Sequence, residues 1–192
     1  MPRLFVAIDI PDQIKEALTQ FTRELPGARW VPANQIHLTL RFIGETGPQA
    51  LAAIKGALAG IHFPPFQLVL QGAGHFPPGK HPRVLWVGVE ANPRLMELYR
   101  DLELTLVEVG IPPEERPFSP HLTLARLKTS APGAVGNFEA RHGELTFAPF
   151  EVCEIILYSS VLTSEGAIHS REASVGCRGM GNNPNLDTFL TH

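Results

Sequence analysis

Ile36-His37-Leu38-Thr39-Leu40 reads IHLTL, and Pro120-His121-Leu122-Thr123-Leu124 reads PHLTL. The second HLTL begins 84 residues after the first (121 − 37). Along a strand, side chains alternate between faces, so His37 and Thr39 share one face while Leu38 and Leu40 take the other. The same holds for His121 and Thr123. The leucines predict a face buried in a core. Each His–Thr pair is left facing outward, its members roughly 6–7 Å apart along the strand.

The flanking sequence repeats as well. RLFVAIDIPDQIKEAL, later WVPANQIHLTLRFIG, is answered by RVLWVGVEANPRLMELY, later RPFSPHLTLARL. Both run strand, helix near a proline, connection, then the HLTL strand. From Leu4 to His37 is 33 residues, and from Val84 to His121 is 37. Repeat units near 3–44 and 83–128 predict two lobes related by an approximate two-fold axis, their HLTL strands facing one another across a cleft. Strands and helices interleave without regular βαβ alternation, so the expected class is α+β, bilobal, with antiparallel sheets and helices outside. Residues 1–177 form one two-lobed domain on this reading, and 178–192 a flexible tail.

Periodicity supplies the remaining elements. A helix opens at Pro11-Asp12 and carries Ile14, Ala17, Leu18, Phe21 and Leu25 at helical spacing until Pro26-Gly27. Further helices are predicted over about 48–59 and, from the Asn92 cap with Pro93 behind it, over about 93–108. Strands are predicted at 66–71, 83–89 and 121–128, and again within 144–158 and 168–175. GAGHFPPGKHPR, from Gly72 to Arg83, reads as a loop.

Composition narrows the class. A hydrophobic fraction of 44% with 18% charged residues fits a folded globular protein. No apolar run is long enough to span a bilayer. The N-terminus lacks a signal-peptide cleavage pattern, so the expected location is the cytoplasm, with Cys153 and Cys177 as free thiols. A net charge of −3 argues against non-specific binding along nucleic acid, where phosphate neutralisation supplies most of the affinity. A nucleic-acid partner would be gripped over a few nucleotides or at one end. A monomer is expected.

Two imidazoles and two hydroxyls across a cleft suit in-line displacement at phosphorus. The attacking oxygen needs a base and the departing one an acid, and histidines near pKa 6.5 supply both. Hydroxyls can donate to the non-bridging oxygens, where charge accumulates. No metal or cofactor is required. His62, His75, His81, His142, His169 and His192 lack metal-ligand spacing, and no HExxH, CxxC, GxGxxG or GxxxxGK[ST] occurs. The alternatives are a zinc hydrolase using His37 and His121, or a non-catalytic RNA-end binder.

RLFVAIDIP, WVPANQIHLTLRFIGE, RVLWVGV and FSPHLTLARL together resemble the RNA 2′,3′-cyclic phosphodiesterases, also called the 2′-5′ RNA ligase family, of the two-histidine phosphoesterases. The resemblance covers roughly residues 3–170. It implies a bilobal fold with a water-filled cleft, and metal-free hydrolysis of RNA or oligonucleotide 2′,3′-cyclic phosphate ends to 2′-phosphomonoesters. It makes His37 the proton donor to the leaving 3′ oxygen and His121 the acceptor that activates water, with Thr39 and Thr123 holding the phosphate. Ligation, or cleavage of 2′-5′ linkages or another small nucleotide, stays open, because substrate choice lives in loops.

Arg126 matches a family arginine near the phosphate. Strict alternation puts it on the face opposite His121, so a bulge or the strand's end has to redirect it. Alternation places Arg41 on the face of His37 and Thr39, making it a second candidate for the phosphate. Lys80, His81 and Arg83 form a basic loop suited to RNA phosphates, and Phe42 and Phe76 could stack bases. LYSSVLTSEGAIH, residues 157–169, resembles a family phrase that commonly has an aromatic where His169 stands.

Overall fold

The computed structural model describes residues 2–128, 132–164 and 166–177. Strand β1 (Arg3–Asp9) leads into helix α1 (Asp12–Thr19), and a 3₁₀ turn (Gln20–Arg23) follows. The helix tightens there instead of running on to Leu25. Thr19 and Thr22 bond back to the carbonyls of Glu16 and Thr19 at 2.6 and 2.8 Å, an alternative to continued α-helix that threonine offers. Short β2 (Ala28–Trp30) and a 3₁₀ turn (Ala33–Gln35) precede the first HLTL strand, β3 (His37–Glu45). Helix α2 (Pro48–Leu58), β4 (Phe66–Leu68) and β5 (Leu70–Phe76) complete the first half.

The second half starts at β6 (Val84–Val89) and α3 (Pro93–Glu108). Asn92 Oδ1 accepts from Leu95 N at 3.1 Å, and Leu95, Leu98, Leu102 and Leu106 make one buried stripe. The second HLTL strand, β7 (His121–Leu127), follows, then α4 (Pro132–His142), β8 (Phe150–Val152), β9 (Glu154–Thr163) and β10 (Gly166–Gly176).

An eight-stranded sheet runs β10-β9-β1-β3-β7-β6-β5, with β2 beside β7, and β4 pairs β8 separately. All the pairings are antiparallel. The fold is α+β and two-lobed, as the sequence predicts. The lobes meet edge to edge, however: β3 and β7 are neighbours joined at one residue pair, Leu38–Leu122. Both leucines are fully buried, as are Leu4, Val6, Ile8 and Leu124 beneath the helices. Burying each such side chain stabilises the fold by about 1.5–3 kcal/mol.

Three elements depart from expectation. The stretch expected as a glycine-rich loop is strand through Phe76. Gly72, at φ +70°, sits in a bulge between Gln71 and Ala73, and Gly74 leaves room for the Trp86 indole; a Cβ there would lie 2.3 Å from the ring. Helix α4 carries glycine and asparagine, poor helix formers, and is held by burial of Val135 and Phe138. The strand expected from 144 begins only at Phe150, with Gln71–Thr146 as an isolated bridge before it. The expected tail, 178–192, lies outside the described residues.

Candidate active site

The Leu38–Leu122 pair fixes the arrangement of the two motifs. An antiparallel register through it sets His37 across from Thr123 and Thr39 across from His121 (37 + 123 = 39 + 121 = 160). On that register the two histidines are diagonal neighbours on one face of the sheet, their backbones roughly 7–8 Å apart.

Each motif is backed by its own neighbour. On the cleft face of β1, Asp9, Ala7 and Phe5 stand opposite His37, Thr39 and Phe42. On β6, Gly88, Trp86 and Val84 stand opposite His121, Thr123 and Arg126. Both series skip a residue at the same point of the motif. The register shifts between Val6 and Ala7 opposite β3, and between Leu85 and Trp86 opposite β7. A bulge adds one residue and reverses alternation beyond it.

That reversal settles both arginines. Arg126 is returned to the face of His121 and Thr123, where the resemblance wanted it, and its side chain is exposed. Arg41 goes the other way. It leaves the face of His37 and Thr39 and is 7% exposed. Its Nε lies 2.6 Å from Glu103 Oε1, its Nη1 donates to Glu114 Oε2 at 3.0 Å, and its Nη2 donates to Pro112 O. The Nε–Oε1 contact is close but poorly aligned for a hydrogen bond, so its attraction is Coulombic. Arg41 therefore anchors the 110–120 loop to β3 and does not line the cleft. Phe42 occupies the position in β3 that Arg126 holds in β7, and it is 59% exposed.

The imidazoles are oriented alike. His121 Nδ1 meets Ser119 O at 2.7 Å; a carbonyl only accepts, so Nδ1 carries the hydrogen and Nε2 is left for the cleft. The carbonyl of Gln35, again two residues before the histidine, bonds the His37 ring. Their surroundings differ. The Phe76 ring meets His121 edge-on at 4.9 Å. His37 stacks on buried Phe5 at 4.8 Å, with Tyr158 at 6.3 Å and His169 edge-on at 5.7 Å. Burial, and then the neighbouring His169, lower the His37 pKa to about 4; the Gln35 carbonyl and Asp9 oppose this. Burial therefore favours the neutral His37 ring in the free protein at pH 7.

Lys80, His81 and Arg83 are exposed in the loop between β5 and β6, whose root is the Phe76 wall beside His121. Among the described residues, no group of three His, Cys, Asp or Glu side chains could hold a metal ion. No described helix is long and apolar enough to cross a membrane. Sequence reasoning missed Phe5, Asp9 and Trp86, whose only signal was their position opposite the motif residues.

The pattern of the LigT like Phosphoesterase family matches twice, over residues 8–86 and again over 87–169. The chain belongs to this family. Each match carries one of the two HLTL strands, β3 in the first and β7 in the second. An RNA 2′,3′-cyclic phosphodiesterase of Archaeoglobus fulgidus is 35% identical over 170 residues, 87% of this chain and 96% of the relative. One from Thermotoga maritima is 35% identical over 87% of this chain and 91% of the relative. Among solved structures, a Thermus thermophilus protein superposes with a TM-score of 0.78 at 30% identity, over 93% of this chain and all of the other. Escherichia coli LigT, crystallised with 3′-AMP, gives 0.75 at 29% identity over 92% of this chain and 99% of LigT.

Proposed function

We propose that this phosphoesterase hydrolyses 2′,3′-cyclic phosphate ends of RNA or short oligonucleotides to 2′-phosphomonoesters, with His37 and His121 as the acid and base. The observation that carries the reading is the antiparallel crossing of the two HxT segments at Leu38–Leu122. It brings two carbonyl-oriented imidazoles and two hydroxyls onto one face. The relatives' naming as RNA 2′,3′-cyclic phosphodiesterases, and LigT's complex with a nucleoside monophosphate, support the substrate class.

In the reaction, Nε2 of neutral His121 takes a proton from water as its oxygen attacks phosphorus. The bond from phosphorus to the 3′ oxygen breaks opposite, and His37 protonates that oxygen. Thr39, Thr123 and Arg126 donate to the non-bridging oxygens, whose charge grows in the transition state. The exposed Phe42 ring offers a surface on which the terminal base can stack. Acid, base and charge stabilisers are all side chains, so no metal is needed. Burial and the neighbouring His169 disfavour a proton on His37 in the free protein, so the acid form has to be favoured by the substrate itself. A phosphodiester anion within a few ångströms favours the charged imidazole and draws a proton onto it.

The test is a substrate panel: a cyclic-phosphate dinucleotide, a 2′-5′-linked dinucleotide and a nucleoside 2′,3′-cyclic phosphate, with products identified by phosphorus NMR after exhaustive chelation. A 2′-phosphomonoester from the cyclic ends is expected. A 3′-phosphomonoester, or turnover of the 2′-5′ linkage alone, would overturn the assignment.

A further inference from the structure

His169 is a third imidazole in this site, and the paired acid–base chemistry does not use it. It stands on β10, the edge strand, with its ring edge-on to His37 at 5.7 Å and an interplanar angle of 85°. The same ring meets Phe5 edge-on at 5.1 Å, and Phe5 is the ring on which His37 stacks. The two histidines are also joined through Gln35. Its Nε2 donates to Ala167 O at 2.8 Å, two residues before His169, while its own carbonyl bonds His37, two residues after it. His169 Nδ1 is buried, with no hydrogen-bond partner among the described residues.

We propose that His169 is a positioning residue that couples the proton on His37 to the arrival of the anionic phosphodiester. Two positive rings at this separation, in a partly desolvated pocket, repel one another, so the pair accepts one proton far more readily than two. Both rings are half-buried, but His37 stacks face to face on buried Phe5 while His169 meets the same ring only edge-on from the edge strand, and desolvation weighs more heavily on His37. The first proton taken up in the free protein therefore settles on His169, and His37 stays a neutral ring. An imidazolium at His169 carries a cost of its own, a buried Nδ1–H without an acceptor. Both rings are consequently neutral near pH 7, and burial lowers the His169 pKa as well.

The other charged groups facing His37 do not remove this bias. Asp9, opposite on β1, favours its protonation, but Asp9 Oδ1 is engaged by Lys15 Nζ at 2.7 Å from α1. Tyr158 on β9 presents a neutral ring whose pKa burial raises further. A phosphate oxygen entering between the motifs adds a negative charge on the His37 side of the pair. The proton is then carried by His37 only when there is a leaving group to receive it. This inference rests on the proposed acid role of His37, but its first test does not.

That test is the NMR titration of the His37 imidazole in the free protein, parent against His169→Phe and His169→Gln. Phenylalanine keeps the edge-on ring, and glutamine covers the case in which it fails to fold. The His37 midpoint is expected to rise by about one pH unit, a tenfold gain in proton affinity, in both variants. An unmoved midpoint in a folded variant overturns the proposal, whatever the substrate proves to be. The second reading is kcat/KM against pH on the cyclic-phosphate dinucleotide. With His37 as acid, the acid limb moves up in the variants and the plateau rises several-fold, because the reactive protonation state becomes better populated. A plateau that stays put while the limb moves would instead make His37 the base, overturning the coupling proposed here and the acid assignment on which it rests.

Discussion

Replacing Arg41 by methionine separates the two places this side chain could occupy. Methionine retains much of the aliphatic bulk and removes the guanidinium from a position only 8% exposed. Glu103, 17% exposed, is left without its partner at 2.6 Å, and Glu114 and the Pro112 carbonyl each lose a donor. Breaking a buried pair from one side costs about 3–5 kcal/mol. Both carboxylates keep some contact with water, which places the loss near about 3 kcal/mol, or a fall in Tm of roughly 6–12 °C for a chain of this size. Calorimetry measures it, alongside kcat/KM well below the transition. Stability is expected to fall while KM changes little. Arg126→Met should do the reverse, holding Tm within a few degrees and losing roughly 10–100-fold in kcat/KM as a charged donor to phosphate disappears. An Arg41→Met protein of parental stability with a sharply raised KM would refute the bulge argument and return Arg41 to the cleft.

The remaining predictions are independent of that one. His37 binds a proton less well folded, at about 4, than unfolded, near 6.5, so the unfolded chain takes it up first and acidification favours unfolding. The penalty begins below pH 6.5, reaches about 2 kcal/mol at pH 5 and levels near about 3 kcal/mol below pH 4. Urea unfolding at pH 7.5 and pH 5 should show the parent losing that much more than His37→Gln; equal losses would mean that His37 titrates normally. Thr39→Val and Thr123→Val should each reduce kcat/KM by about 1–3 kcal/mol with little change in Tm. Gly74→Ala should push the Trp86 indole off the strand beneath it and destabilise by about 1–3 kcal/mol, whereas Gly56→Ala, in α2 with open space around its Cβ, should be neutral or stabilising.

The α+β class and the four central motif residues were legible because they rest on short-range rules: alternation, helix caps and a repeated tetrapeptide. Leu38 and Leu122 are buried and His–Thr lies on the other face of each strand, as the period of two requires. Legibility stopped at the bulges. An extra residue at Leu40–Arg41 and at Leu124–Ala125 exchanges the faces of the residues that follow it, in β3 as far as a second register shift at Ile43, and no local propensity marks it. Strict alternation consequently put Arg41 on the face of His37 and Thr39, which it does not occupy. The repeat held the missing clue. Arg126 could face the phosphate only if β7 were bulged, and the same bulge in β3 puts Phe42, not Arg41, at the matching position. Helix α4 was invisible because its composition opposes helix and only the burial of Val135 and Phe138 sustains it. The environment of His37 depends on Phe5 and on β10, whose His169 lies 132 residues further along the chain (169 − 37), beyond the reach of any periodicity.

The central claim is that His37 and His121 work as one acid–base pair, and the most direct measurement is single-turnover cleavage of a cyclic-phosphate dinucleotide by His37→Ala, His121→Ala and the double variant. Each single change should slow the chemical step by roughly 10²–10⁴ or more, and the double variant should be little slower than the worse single one. Repeating it with a nitrophenyl leaving group, which departs without a proton, should restore His37→Ala and leave His121→Ala slow. Full activity in either folded single variant would contradict the account, and rescue of His121→Ala instead would exchange the two roles.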